Sequence, residues 1–240
     1  MQKESPTPMQ IHVENQIPRS DALLGLIRAE GVHVATEPEG LAEALQQLLA
    51  GRQQLPPELE ARRQAVRDLL RNGRYKPTGR AKPASEYLLR EAQAGGFPRI
   101  NGPVDVANYI SLLHMLPVSL WDLDRAASTR FRFRLGRAGE AYVFNTAGQQ
   151  IDLTDLIVGC RVDPDSGADE PIVNPVKDSL ATKTDAATTR VMACVYAPAA
   201  AVSVEALEAI CRDFADWLAR CGDRVETAWA VLPPEQTVTV

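Results

Sequence analysis

The sequence predicts an α+β fold formed by one compact domain. Helical patterns lie mostly in the N-terminal half and strand patterns in the C-terminal half, a segregation typical of α+β proteins with a mixed or antiparallel sheet. The chain has 240 residues, 45% of them hydrophobic and 24% charged, so it is long enough to bury a sizeable core. We expect a single domain over 1–240, with an N-terminal α/β part (1–75) and a core with a closing helix and strand (76–240).

The elements of the N-terminal half are predicted from hydrophobic period, capping residues and breakers. Ser20 or Asp21 caps the first helix, and Pro57 lies in the first turn of a later one. The predicted elements are a strand over 9–15, a helix over 20–30, a strand over 31–38, helices over 40–50 and 55–73, a link rich in Pro and Gly over 74–83, and a helix over 85–94.

The segment 99–124 predicts a loop followed by an unusual helix. Asp105, Asn108 and Ser111 follow one another at helical i, i+3, i+6 spacing. Such side chains compete with the backbone for hydrogen bonds and are unfavourable inside helices. The helix therefore gives up propensity either for a buried polar network or for a functional site.

The C-terminal half is predicted to consist mainly of strands, because its apolar residues alternate or form short buried runs. A long amphipathic pattern near the end predicts a helix. The elements are strands over 128–136, 140–146, 150–164, 170–176 and 188–198, a helix over 202–223 and a closing strand over 224–234.

Charge is distributed unevenly along the chain. The net charge is −5, yet residues 61–100 contain ten basic and three acidic side chains. Such a block is a candidate surface for a polyanion, because Lys and Arg contacts to phosphates dominate nucleic-acid affinity. The alternative is a solvated helix face without a ligand.

A second polar cluster lies between two predicted strands, over 174–184. Loops positioned by a sheet often carry function, and this one suits a hydrogen-bonded lining that reads amine and carbonyl groups. The alternative is an ordinary surface loop. Its polar members are Asn174, Lys177, Asp178, Ser179, Thr182, Lys183 and Thr184.

Common catalytic and metal signatures are missing from the sequence. It contains no GxSxG elbow, no phosphate-binding glycine loop and no HExxH. His12 and His33 are expected to be surface or core residues, whereas His114 lies near the end of the polar helix and is either a dipole partner or a member of its pocket. We expect no metal and no cofactor.

The cysteines and the apolar runs indicate a cytoplasmic protein. Cys160, Cys194, Cys211 and Cys221 show no CxxC spacing, so we expect buried thiols and no zinc site. No apolar run approaches the roughly 20 residues that span a bilayer, and the first ten residues lack the apolar core of a signal peptide. A membrane partner is not expected.

The two polar clusters together resemble a known family. The run INGPVDVANYISLLHMLPVSLWDLD from Ile100 is similar to the (T/I)NxVVDVTNY…P…D pattern of the B3/B4 domain in the beta subunit of phenylalanyl-tRNA synthetase, and its SL…LP…DLD ending to freestanding B3/B4 proteins. The loop resembles N-x-(R/K)DS-x-x-T-(K/R), with one extra residue after Asn174. Gly102 and Pro103 depart from the pattern. The matching residues of the run are Asn101, Val104, Asp105, Asn108, Tyr109, Ser111, Leu112, Leu116, Pro117, Asp122, Leu123 and Asp124.

The resemblance covers roughly residues 8–200 and implies a B3/B4-like α+β domain. Within the synthetase, this domain hydrolyses the ester bond between a tRNA and a wrong amino acid, and it uses neither a metal nor a covalent nucleophile. Freestanding relatives are thought to act in trans. We therefore expect a trans-acting aminoacyl-tRNA deacylase that takes tRNA, but not DNA, as its partner. The alternatives are a non-catalytic module that binds tRNA or an amino acid, and a small-molecule hydrolase or protein-interaction scaffold.

With that resemblance, each candidate residue receives an expected role. Asn101, Lys183 and His114 are the catalytic candidates, and Asp105 is expected to brace the turn before the polar helix. The candidates for substrate binding are Asn108, Ser111, Asn174, Lys177, Asp178, Ser179 and Thr182. The candidates for tRNA binding are Arg71, Arg74, Lys76, Arg80, Lys82 and Arg90. The edited amino acid, its tRNA and the oligomeric state stay open.

Overall fold

Two β-sheets form the centre of the molecule, and helices cover them. The computed structural model describes residues 9–240, so the first eight residues, which contain most of the segment analysed for a signal peptide, lie outside the described residues. The strands are β1 (His12–Asn15), β2 (Ala22–Glu30), β3 (Val118–Asp122), β4 (Arg130–Leu135), β5 (Ala141–Val143), β6 (Gln150–Asp152), β7 (Ile157–Val162), β8 (Asp169–Val173), β9 (Arg190–Pro198), β10 (Glu226–Leu232) and β11 (Thr237–Thr239). The helices are α1 (Leu41–Ala50), α2 (Pro57–Leu69), α3 (Ala84–Gln93), α4 (Gly102–His114), α5 (Leu123–Ala126) and α6 (Val204–Leu218).

The larger sheet has the order β11-β1-β4-β7-β8. β1 runs parallel to β4, with His12 opposite Arg130, and the other neighbours run antiparallel. The second sheet has the order β10-β2-β9-β3 and is antiparallel throughout. β5 and β6 form a separate hairpin. The predicted α+β class with mixed and antiparallel sheets is confirmed. The N-terminal half also contributes strands, because β1 belongs to the larger sheet and β2 to the second.

The prediction of a helix over 20–30 is wrong, because this segment forms strand β2. β2 lies between β10 and β9 and is buried along almost its whole length. A strand covered on both faces has a continuous apolar run, which periodicity does not distinguish from a buried helix. Gly25 allows α6 to approach closely, since a Cβ there would lie 2.6 Å from the Sγ atom of Cys211.

The prediction of a strand over 31–38 is also wrong. Gly31 adopts a φ of +85° directly after β2, a conformation that glycine takes readily and that ends the strand. The backbone N–H groups of Gly31 and Val32 both donate to the Thr189 carbonyl oxygen, and Thr36 N donates to the His33 carbonyl oxygen to close a turn. The chain therefore crosses towards α4 without pairing.

Two short strands were not predicted. β3 lies within the segment 99–124, directly after the predicted helix, and pairs with β9. β11 pairs with β1 at the edge of the larger sheet. The predicted strand over 150–164 is divided into β6 and β7, which belong to different sheets, and the short helix α5 was not predicted. The remaining helices and strands are confirmed, with shifts of a few residues at their ends.

The core lies between the sheets and the helices that cover them. α6 packs on β2 and β10, and α4 packs against α3 and α6. The Tyr109 ring on α4 meets the Trp217 ring on α6 edge to face at 5.4 Å, a favourable aromatic geometry. This packing fixes α4 and so fixes its N-terminus beside the polar loop. Within residues 9–240, no helix combines the length and the apolar character that crossing a membrane requires.

Candidate functional site

Asn174 organises the beginning of the loop 174–184. Its side-chain oxygen accepts hydrogen bonds from the backbone N–H groups of Val176 and Lys177, both at 2.8 Å. Its amide nitrogen donates to the Tyr142 hydroxyl at 2.5 Å, and this hydroxyl donates to the Lys177 carbonyl oxygen at 2.8 Å. All polar groups of the Asn174 side chain are thus directed into the protein, where they shape the turn.

Asp178 ties the same loop to strand β3. Its carboxylate accepts from Leu120 N and from Asn174 N, each at 3.2 Å. Burial raises the pKa of Asp178 to about 6, and the neighbouring Ser119 hydroxyl and the backbone N–H groups oppose the rise. The Ser119 hydroxyl donates to the Asn174 carbonyl oxygen at 3.0 Å. The carboxylate therefore holds the loop on the sheet.

Ser179 and Thr182 are buried within the loop. The Ser179 hydroxyl accepts from Ala181 N at 3.3 Å and begins the single helical turn over Leu180–Thr182. The Thr182 hydroxyl donates to the Ile172 carbonyl oxygen at 3.5 Å. Both hydroxyls are therefore used in the folding of the loop.

The two lysines of the loop face outward. The Lys177 ammonium lies 4.1 Å above the centre of the Phe144 ring, and the Lys183 ammonium donates to the Phe144 carbonyl oxygen at 2.7 Å. Burial and the nearby Arg80 lower the pKa of Lys177. Because an ammonium group has three donors, Lys183 keeps donors for a ligand.

Asn101 joins the polar helix to the loop. It caps α4 through its side-chain oxygen, which accepts from Val104 N at 3.2 Å, as N-cap residues commonly do. Its amide nitrogen donates to the Thr184 hydroxyl at 3.0 Å. The structure thus brings Asn101 next to the loop residue that follows Lys183.

The turn before α4 is held by Asp105. The Asp105 carboxylate is buried and accepts from Ile100 N and from the Arg99 guanidinium, each at 2.7 Å. Arg99 also pairs with Glu37. These contacts fix the turn that presents Asn101, and they leave the carboxylate without contact to the groove described below.

The far end of α4 belongs to a different environment. Ser111 is buried and donates to the Leu116 carbonyl oxygen at 2.6 Å, whereas Asn108 is partly exposed. Burial, Arg62 and Arg52 lower the pKa of His114 to about 4, so the imidazole is neutral at pH 7.

The hypothesis that His114 shares a pocket with Asn101 does not agree with this geometry. The two residues lie at opposite ends of a helix of 13 residues, which is roughly 20 Å long. The lowered pKa also leaves the His114 imidazole with little positive charge to interact with the helix dipole.

A broad groove connects the basic block of the sequence to the loop lysines. It has a volume of about 1680 Å³, and the link before α3, α3 itself, the β5–β6 hairpin and the loop 174–184 form its walls. Its charged lining residues are Arg63, Arg74, Lys76, Arg80, Lys82, Arg90, Lys177 and Lys183, with the acidic residues Glu86 and Asp152. The formal charge of the lining is therefore +6.

The centre of this charge is the link 74–83. Lys76, Arg80 and Lys82 are exposed and form no ion pair with any residue in 9–240. Arg74 and Arg90 are also exposed, and their pairs with Asp152 and Glu91 are of the weakly stabilising surface type. The structure thus places five of the six arginines and lysines selected from the sequence in one groove.

The sixth, Arg71, does not line the groove. It is exposed and pairs with Asp68 one turn earlier on α2. Neighbouring positions in sequence thus separate in space, because Gly73 turns the chain away from α2 with a φ of +47°.

Comparisons with known proteins bear on this region of the chain. A family model of the B3/4 domain matches residues 74–209, which is more than half of the chain. The chain belongs to the B3/4 domain family. It is also similar to the phenylalanine–tRNA ligase beta subunit of Streptococcus pneumoniae (strain ATCC BAA-255 / R6), with 35% identity over 77 residues, which are 32% of this chain and 10% of that subunit. This chain therefore spans only a small part of that relative, and the resemblance seen in the sequence is confirmed.

The family segment contains both the groove and the loop. The link, α3, α4, the β5–β6 hairpin and the loop 174–184 all lie within the matched residues of the B3/4 domain. Arg63 on α2 is the charged lining residue that lies outside them. The groove is therefore mainly a feature of the domain that the family shares.

No cysteine lines the groove in the part of the chain that the structure describes. All four cysteines are buried, as predicted, and burial raises the thiol pKa of Cys160, Cys211 and Cys221 to about 12. Among residues 9–240, no three His, Cys, Asp or Glu side chains are grouped as metal ligands.

Sequence reasoning did not find the aromatic part of the groove. Tyr87 on α3 and Phe144 after β5 both line it. Phe144 belongs to a hairpin of two three-residue strands, and nothing in a hairpin of this length predicts which wall it faces. The exposed position of Tyr87 in the amphipathic helix α3 was the one available signal.

Proposed function

We propose that this protein is a trans-acting aminoacyl-tRNA deacylase that hydrolyses the ester of a mischarged tRNA. The observation that supports this most is the groove with a formal charge of +6, which joins the basic link to Lys177 and Lys183 inside the family segment. Contacts to phosphates are largely independent of sequence and position a nucleic acid on its protein. The groove offers such contacts along its length, with the loop at one wall.

In the proposed reaction, a water oxygen attacks the carbonyl carbon of the aminoacyl ester. The bond from that carbon to the ribose oxygen breaks, and the proton of the water goes to the ribose oxygen. The products are a free amino acid and an uncharged tRNA. Charge develops on the carbonyl oxygen in the transition state, and a fixed cation beside it lowers the barrier.

Lys183 is the residue that best fits this role. Its ammonium is held by the Phe144 carbonyl oxygen, and Asn174 and Asp178 fix the loop from behind. Asn101 contacts the adjacent Thr184, so the N-terminus of α4 lies near the same point. A fixed position of the catalytic group is itself a source of rate enhancement.

A non-catalytic tRNA-binding module is the second candidate, and one observation favours it. The hydrogen-bonding groups of Asn174, Asp178, Ser179 and Thr182 are engaged within the protein. These side chains therefore serve the scaffold, and fewer groups remain to orient a water molecule than the sequence suggests.

Two measurements on the wild-type protein separate the candidates. The first is the rate of amino-acid release from a panel of mischarged tRNAs, with buffer as the reference. The second is the affinity for uncharged tRNA as a function of salt, because a polyanion in the groove gives a steep slope. Faster release from one tRNA supports the deacylase. Steep binding without release supports the module, and a flat salt dependence contradicts both.

A further inference from the structure

Tyr87 is an aromatic side chain exposed in the wall of a charged groove. Its relative exposure is 51%, and it lies on α3 directly before Leu88 and Leu89, which pack into the core. Its hydroxyl forms no hydrogen bond with any residue in 9–240. The packing of α3 therefore does not account for a ring at this position.

Arg90 lies over this ring. Its guanidinium carbon is 5.0 Å from the ring centre, one turn further along α3, within the range of a cation–π interaction. Both residues line the groove. A flat ring and a planar cation are thus held together on a surface that also carries Lys76, Arg80 and Lys82.

The size of the groove argues for an extended ligand. Its volume of about 1680 Å³ exceeds the roughly 300–1,000 Å³ of typical small-molecule sites. Its charge requires an anion that is also extended. A nucleic-acid strand meets both requirements, and this step rests on the proposed function.

The exposed aromatic ring favours a single strand over a duplex as the ligand of the groove. In a duplex the bases are already stacked on each other, and a protein that binds the backbone needs only cations. Proteins that hold single strands combine a basic groove with aromatic rings on which unpaired bases stack. The other two rings in the groove lining, Tyr75 and Phe144, are only partly exposed, so Tyr87 offers a base the most accessible ring.

We propose that Tyr87 and Arg90 form a stacking platform for an unpaired nucleobase, so that the groove holds the single-stranded end of its RNA and not its duplex part. The base stacks on the Tyr87 ring while the basic link contacts the flanking phosphates. Tyr87 is a binding residue in this proposal and takes no part in bond breaking.

The test uses a short single-stranded RNA and a blunt RNA duplex, each with a fluorophore at one end, and measures binding by anisotropy over a range of salt concentrations. Tyr87→Leu keeps an apolar side chain and removes the flat ring, whereas Tyr87→Phe keeps the ring. Arg90→Gln removes the charge. Trp229→Leu is a matched control, because Arg212 lies over the Trp229 ring at 5.5 Å outside the groove lining. Circular dichroism verifies that each variant is folded.

Tyr87→Leu is expected to weaken binding of the single strand by about fivefold to a hundredfold. Its salt slope should equal that of the wild type, because no charge is lost. Tyr87→Phe and Trp229→Leu should bind as the wild type does, and Arg90→Gln should reduce the slope by about 0.7. Tyr87→Leu should leave duplex binding unchanged.

Two results overturn the proposal and have different meanings. If folded Tyr87→Leu binds the single strand as tightly as the wild type, with the same steep salt slope, the platform is refuted and the tRNA function stands. The platform is equally refuted if Tyr87→Leu weakens single-strand and duplex binding to the same extent. If the wild type binds neither RNA with a steep salt slope, the proposed function fails, and the platform fails with it.

Discussion

The loop 174–184 has an inner and an outer face, and they differ in what their polar groups contact. On the inner face, Asn174 and Asp178 bind backbone N–H groups of the loop and of β3. On the outer face, the ammonium groups of Lys177 and Lys183 contact the ring and the carbonyl oxygen of Phe144, and both residues line the groove. One polar motif therefore divides into a scaffold and a groove-facing surface. Substitutions on the two faces should accordingly change different measurable properties.

The largest expected effect is on the inner face. Asp178→Ala leaves the N–H groups of Leu120 and Asn174 without their acceptor, and unsatisfied buried donors cost about 1–3 kcal/mol each. We expect the free energy of unfolding at pH 7 to fall by about 3 kcal/mol, measured by urea denaturation. Asp178→Asn keeps an acceptor and should lose less. An Asp178→Ala variant as stable as the wild type would show that the inner face is not a scaffold.

A smaller effect is expected from the titration of Asp178. Its pKa is raised to about 6 in the folded protein, from a reference value of 3.8. Between these values the folded state binds a proton that the unfolded state lacks, so stability falls as pH rises through this window. Relative to Asp178→Asn, the wild type should lose on the order of 2 kcal/mol of unfolding free energy between pH 4 and pH 7. A pH-independent difference between the two would contradict the raised pKa.

The smallest expected effect is on tRNA binding, and it should differ between a cation that lines the groove and an exposed cation outside it. Arg80 lines the groove, whereas Arg71 pairs with Asp68 outside it. Arg80→Ala should weaken tRNA binding a few-fold and reduce the salt slope by about 0.7 to 0.9, and Arg71→Ala should change neither. Both variants should unfold like the wild type, because exposed substitutions are usually within about 0.5 kcal/mol. Equal slopes for the two variants would place the RNA elsewhere.

The sequence predicted the basic surface better than the roles of the polar residues in α4 and in the loop 174–184. The excess of Lys and Arg in 61–100 is local in the chain, so charge counting found five residues that line the groove, whereas Arg71 lies outside it. The contact between Asn101 and Thr184 joins residues 83 positions apart, and the family pattern indicated it where spacing alone did not. His114 shows a limit of grouping residues by their helix, because Asn101 and His114 belong to the same helix but lie at its opposite ends.

The errors in the fold have a related cause. β2 was mistaken for a helix because burial on both faces removes the alternation that marks a strand. β3 is short and lies inside a segment interpreted for its polar residues. Which face a polar side chain turns to is decided by partners distant in sequence, such as Leu120 for Asp178. Composition and periodicity do not contain this information.

The most direct test is the initial rate of deacylation of a mischarged tRNA by the wild type and by Lys183→Ala, with Lys183→Arg as the variant that keeps the charge. Loss of one stabilising group at a developing oxyanion typically costs about 10²–10³ in rate. We expect a loss of about a hundredfold for Lys183→Ala, partial activity for Lys183→Arg and unchanged stability for both. Wild-type activity that persists in a stably folded Lys183→Ala variant would contradict the assignment of the catalytic role to the outer face of the loop.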